Sequence, residues 1–151
     1  MKNLVLQIPM KPLSVNKKFT INRYSRRMVK SSEAVTFEKK LSGYLDKYHK
    51  EIEEFLQGIE ERQALGLELV IYVPESEFYT KKKEMSLTAL DVSNTLKMLE
   101  DTLYKYLDIN DALNVKVSAE KRPTSNSGYM TLINITKLPV PKVCPLDNIS
   151  F

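Results

Sequence analysis

Between residues 32 and 57 the apolar side chains Ala34, Phe37, Leu41, Tyr44, Leu45, Tyr48, Ile52, Phe55 and Leu56 recur every three or four positions. That period matches the turn of an α-helix and gathers these residues on one stripe. The spacing predicts one long amphipathic helix over 32–57, closed at Gly58. Its stripe must be covered by another layer, and the rest of the chain supplies strands for one. "NLVLQI" (3–8) reads as a strand ended by Pro9, and "GLELVIYV" (66–73) as a second ended by Pro74. A second helix is predicted over 93–107. "VKVSAEKR" (115–122) and "YMTLINITKL" (129–138) are two further strands. "PTSNSG" between them supplies a turn, so the reading is an antiparallel hairpin. "FTINRYSRRMVK" (19–30) reads as a short basic hairpin, and 75–90 as an exposed loop.

The order β-α-β-α-β-β predicts one α+β domain, a mixed sheet with two helices packed on one face. The domain is expected over residues 1–138. The remaining 139–151, with three prolines, reads as an extended tail. A length of 151 residues suits a single core. The single cysteine, Cys144, excludes an internal disulfide and a cysteine-based zinc site. No apolar run approaches the roughly 18 residues that span a bilayer, so no membrane partner is expected. The apolar stretch at the N-terminus is too short for a signal peptide, which points to a cytoplasmic protein. The only histidine, His49, falls on the polar side of the first helix and reads as a surface residue.

The net charge of +4 conceals an asymmetry. Residues 1–30 hold eight basic side chains (Lys2, Lys11, Lys17, Lys18, Arg23, Arg26, Arg27, Lys30) and no acid, leaving 15 basic and 19 acidic residues in the remainder. A basic segment on an acidic body is the charge pattern of a polyanion binder. Lys81, Lys82 and Lys83 form a second cluster. Tyr24, among Arg23, Arg26 and Arg27, has two open readings: stacking on a base, or packing on the sheet. Ser14 and Asn16 either contact phosphate or shape their loop.

The segment "LDVSNTLKMLEDTLYKYLDIND" (90–111) carries the candidate chemistry. On a helical projection Val92, Leu96, Leu99, Leu103, Tyr106 and Leu107 form an apolar stripe, with Asn94, Lys97 and Asp101 nearly opposite. Asp91 precedes the helix and Asp111 follows it. Taken singly, these residues have ordinary roles: Asp91 as a helix cap, Lys97 and Asp101 as an i,i+4 pair, Asp111 as a turn former. Taken together, Asp91, Asp101 and Asp111 are oxygen ligands of the kind a hard divalent cation prefers, beside a lysine able to stabilise phosphoryl charge. Glu100, Lys105 and Asp108 read as solvated charges.

These residues resemble the RusA family of Holliday-junction resolvases, found in prophages and mobile elements. The family pattern is D-x-D-N-x-x-K, a helical D-x-L, then D-D, a strand with a lysine, and a glycine-containing turn. Here "DVSNTLK" is 91–97, "DTL" is 101–103 and "ND" is 110–111, followed by Lys121 and Gly128. The opening "IPMKPLSVNKKF" (8–19) resembles the family's strand, Pro-rich loop and S-x-N. The resemblance implies a homodimeric endonuclease of recombination and repair. It would depend on Mg²⁺, with Mn²⁺ as a substitute, bind four-way DNA junctions and nick two opposing strands. It places catalytic roles on Asp91, Lys97 and Asp111, metal ligation on Asp91, Asp111 and Asp101, and supporting roles on Ser93 and Asn94. DNA contacts would come from Lys11, Ser14, Asn16, Lys17, Lys18, Arg23, Arg26, Arg27, Lys81, Lys82, Lys83 and Lys121. Two positions depart from the pattern: the family's second Asp falls on Ser93, and the first of its D-D on Asn110. A hydroxyl is a poorer Mg²⁺ ligand than a carboxylate. Either Asp101 completes a variant site, or the protein binds junctions without cutting them.

Overall fold

The computed structural model describes residues 2–146. Strand β1 (Asn3–Ile8) alternates strictly, with Leu4, Leu6 and Ile8 buried and Asn3, Val5 and Gln7 exposed. A 3-10 turn at Val15–Lys17 leads into a small antiparallel hairpin, β2 (Phe19–Ile21) and β3 (Met28–Lys30). Helices α1 (Ser32–Asp46) and α2 (His49–Gln57) precede β4 (Ala64–Pro74). The short α3 (Glu75–Phe78) and an exposed turn connect to α4 (Val92–Leu107). A second 3-10 turn (Asp111–Leu113), β5 (Asn114–Thr124) and β6 (Met130–Leu138) complete the fold. Residues 147–151, the end of the expected tail, lie outside the described residues.

The predicted helix over 32–57 is two helices. The break falls at Lys47–Tyr48, where Tyr48 has φ −102° and ψ 17°. No glycine or proline marks it in the sequence. Tyr48 instead meets the free edge of β1: its hydroxyl accepts from the Gln7 N–H (3.2 Å) and donates to the Gln7 carbonyl (3.1 Å). An edge strand leaves such groups unpaired, and the phenol satisfies both. The apolar period survives the break, because Ile52 and Phe55 of α2 are as buried as Leu41 and Leu45 of α1.

The main sheet runs β1-β6-β4-β5, with β1–β6 and β6–β4 antiparallel and β4–β5 parallel. The expected hairpin of the last two strands does not form, because β4 lies between them. Leu65, Leu67, Leu69, Ile71 and Val73 of β4 alternate onto one face and are buried, and β4 pairs with a neighbour along each edge. The connection of residues 125–129 has only to cross one strand. That is about 10 Å between next-nearest strands, and five extended residues reach roughly 17 Å. The parallel pairing of β4 with β5 requires a long crossover, which α3, the exposed turn and α4 provide.

The helices cover one face of this sheet. Phe37, Leu41, Phe55, Met98 and Leu103 pack on Leu4, Leu6, Leu67, Leu69 and Ile133. On the opposite face Val5, Glu68, Ser118 and Glu120 are exposed. The buried stripe of α4 is rotated from the expected one: Thr95, Met98, Thr102 and Tyr104 are buried with Leu99, Leu103 and Leu107, while Val92, Leu96 and Tyr106 are half-buried. The two threonines tolerate burial by bonding back along the helix, Thr95 Oγ1 to the Asp91 carbonyl (2.7 Å) and Thr102 Oγ1 to the Met98 carbonyl (2.9 Å). No helix among the described residues is long and apolar enough to cross a membrane.

Candidate active site

Helix α4 organises the site. Asp91 is its N-cap: Oδ1 accepts from the Asn94 N–H (3.2 Å) and Oδ2 from the Asn94 side-chain amide (2.9 Å). Asn94 thus donates to both oxygens of the Asp91 carboxylate and fixes its orientation. Each carboxylate oxygen retains a second lone-pair site facing solvent. Asp91 lines an open cleft of about 400 Å³ with Lys11, Ser14, Lys17, Glu33 and Thr95. Three residues expected to contact DNA thus stand around the first candidate catalytic carboxylate. Ser14 also caps the first 3-10 turn, its hydroxyl accepting from the Asn16 N–H (3.3 Å). Lys17 faces Glu33 at 3.8 Å. Lys121 reaches the same place from β5, its Nζ donating to the Leu90 carbonyl (3.0 Å) and lying over the Phe78 ring. Its ammonium braces the residue before Asp91.

Two turns along α4, the exposed Lys97 pairs with Asp101 (Nζ to Oδ1, 3.1 Å). The Asp101 hydrogen bond, then its charge, holds the Lys97 pKa above the ordinary lysine value, with smaller contributions from Glu100 and Asp111. The other oxygen of Asp101 faces Lys18 at 3.5 Å. Asp101 is thus shared between two ammonium groups. Asp111 begins the turn before β5 and is exposed; Asn110 caps that turn by accepting from the Ala112 N–H (2.9 Å). Asparagine serves as well as aspartate for this capping role.

Glu100, read from the sequence as a solvated charge, is half-buried and belongs to the site's surroundings. Desolvation, then the charge of Asp111, raises its pKa, and Lys97 opposes them. Tyr104 lies one turn further, buried, donating from its hydroxyl to Asn114 Oδ1 (2.7 Å). Its pKa is pushed up to about 12 by burial, with Glu100 and Asp111 adding to the rise. The spacing Ser93, Lys97, Glu100, Tyr104 is a helical stripe readable in the sequence. Ser93 is exposed at its head.

The structure therefore gathers the expected residues in two groups along one helix face. Asp91, Asn94, Lys11, Ser14, Lys17 and Lys121 lie at its start. Lys97, Asp101, Asp111 and the unforeseen Glu100 lie further along, with Lys97 about 9 Å of helix rise from Asp91. Among the described residues no three acidic, histidine or cysteine side chains converge closely enough to hold a metal ion by themselves. Mg²⁺ does not require this, since it commonly takes one or two carboxylates and completes its shell with water and phosphate oxygens. The exposed Asp91 and Asp111 carboxylates fit that donor chemistry. Arg23, Arg26 and Arg27 project from the β2–β3 hairpin, and Lys81, Lys82 and Lys83 from the turn closed by the Tyr79–Met85 bridge.

A family model described as endodeoxyribonuclease RusA matches residues 9–135. The chain belongs to the RusA family. The matched segment takes in the β2–β3 hairpin, helices α1 to α4 and the whole of Asp91–Asp111. RusA membership makes this fold an endodeoxyribonuclease fold and DNA the partner class. No curated protein matches the sequence.

Proposed function

We propose that this RusA-family protein is a Mg²⁺-dependent endonuclease that binds four-way DNA junctions and, as a homodimer, resolves them by paired nicks. The observation that carries the reading is the placement of Asp91, Lys97 and Asp111 on and beside one helix within the matched segment. Asp91 and Asp111 would each offer a carboxylate oxygen to a divalent cation completed by water and phosphate oxygens; Mn²⁺ offers the same oxygen preference. When bound, the metal supplies Lewis-acid stabilisation of the phosphate and lowers the pKa of a bound water. Lys97, an ammonium whose charged form the Asp101 hydrogen bond and charge favour further, would donate toward the phosphate oxygen that gains charge as water adds and the P–O bond breaks. Asn94 fixes the Asp91 carboxylate. Lys11 and Lys17 hold the backbone at the cleft, and the hairpin arginines and Lys81–Lys83 extend that grip.

A synthetic four-way junction tests this. The wild-type protein should produce symmetric nicks in Mg²⁺, and Asp91→Asn, Lys97→Ala and Asp111→Asn should each reduce cutting by at least about a hundredfold while junction binding persists. Intact junctions in both Mg²⁺ and Mn²⁺, despite binding, would overturn it. The second reading, a junction-binding protein with an impaired site, is favoured by one feature: the family's second carboxylate is replaced by the hydroxyl of Ser93. Cutting gained in Ser93→Asp from an inactive parent would establish that reading.

A further inference from the structure

We propose that the β2–β3 hairpin is a branch-reading arm: its apolar side chains stack on bases left unstacked at a DNA branch, while its guanidinium groups hold the surrounding phosphates. The proposal rests on the DNA-nuclease reading and adds the means of recognising structure. The cross-strand pairs Phe19↔Lys30 and Ile21↔Met28 put Phe19, Ile21 and Met28 on one face of the hairpin. These three are 50%, 68% and 72% exposed, and Tyr24 at the tip is 98% exposed. Tyr24 therefore does not pack on the sheet. A two-stranded hairpin with an uncovered apolar face is poorly stable alone, and contiguous exposed apolar groups mark a contact surface.

The arm is held at both ends. At the stem, the Ser31 N–H donates to the Lys18 carbonyl (2.9 Å), and Ser31 Oγ caps α1 by accepting from the Ala34 N–H (3.1 Å). Lys30 pairs with Glu38 at 2.9 Å, and Lys18 with Asp101 at 3.5 Å. At the tip, Asn22 Oδ1 accepts from the Tyr24 and Ser25 N–H groups (2.9 and 3.0 Å), and Arg26 takes the left-handed conformation at φ 54°. The apolar groups are thus presented by a built scaffold whose base is joined to the helix carrying Lys97.

Charge selects the occupant. Residues 17–30 contain Lys17, Lys18, Arg23, Arg26, Arg27 and Lys30 and no acid. A symmetric contact with a second copy would oppose these cations to themselves. A nucleic acid supplies both complements, phosphate for the cations and a base face for the apolar groups. A continuous duplex hides its base faces, whereas a branch point interrupts stacking. Apolar side chains on cationic elements exploit such interruptions elsewhere.

The test uses a four-way junction with 2-aminopurine at the branch, a matched duplex, and cutting scored on the same samples. Wild type should raise the fluorescence and prefer the junction. Tyr24→Ala, and Ile21→Ser with Met28→Ser, should lose the rise and about tenfold of the junction-over-duplex ratio, with duplex affinity held within about twofold. Arg23→Gln with Arg27→Gln should weaken junction and duplex alike. These side chains are exposed, so circular dichroism should be unchanged in every variant. Junction cutting by wild type with no fluorescence change, or an unaltered ratio in the apolar variants, overturns the arm and leaves the nuclease reading intact. A fluorescence rise without cutting does the reverse. Apolar variants that instead lose dimers in sedimentation, or binding to phosphatidylglycerol vesicles, assign the arm to a second copy or a membrane and overturn the proposal.

Discussion

Asp101 faces two cations at once, Lys97 at 3.1 Å and Lys18 at 3.5 Å. Its hydrogen bond and charge keep Lys97 protonated to higher pH than an ordinary lysine. Asp101→Asn removes the charge, so the Lys97 pKa falls. The alkaline limb of the cutting profile should then move to lower pH, with the acid limb unmoved; a variant that merely damaged the fold would lose rate at every pH. The residues that read cleanly from the sequence are those whose role is local. The capping position of Asp91 and the i,i+4 spacing of Lys97 and Asp101 need no tertiary knowledge. Glu100 was illegible because its character comes from the fold: burial, then the charge of Asp111, raises its pKa. Lys18 likewise reads as one cation of a basic segment, and only the fold sets it against Asp101.

Among the elements, the break between α1 and α2 shows how far a hydrophobic period can be trusted. Period alone could not distinguish one helix from two in phase, because the break serves a strand edge distant in sequence. Tyr48→Phe removes both bonds to Gln7 and leaves two edge groups to water. It should destabilise the protein by about 1 kcal/mol in chemical denaturation, with earlier amide exchange at Gln7. The final two strands were legible as strands and illegible as neighbours. A turn sequence specifies reversal of direction, which β5 and β6 do show, but not adjacency. In the fold β4 takes the position between them and pairs with both.

Across the whole molecule, the basic first thirty residues and the net acidic remainder give the protein a polarised field. DNA binding should weaken steeply with salt. Replacing Lys81, Lys82 and Lys83 together by Gln should lower the log–log salt slope by about 0.9 for each phosphate these lysines neutralise. An unchanged slope would remove that turn from the interface. The α+β class and the covered face of the sheet followed from the order of periodic segments, as did the basic hairpin. The sheet order did not, and neither did the distribution of site residues along α4. One consequence lies in the sharing of Asp101 between Lys97 and Lys18. The stem of the arm and the candidate catalytic lysine hang from the same carboxylate, like two weights on one hook. Lifting Lys18 away leaves Lys97 the sole claimant to that charge. In the proposed reading, a phosphate that drew Lys18 off Asp101 would leave that carboxylate to Lys97 and favour its ammonium form.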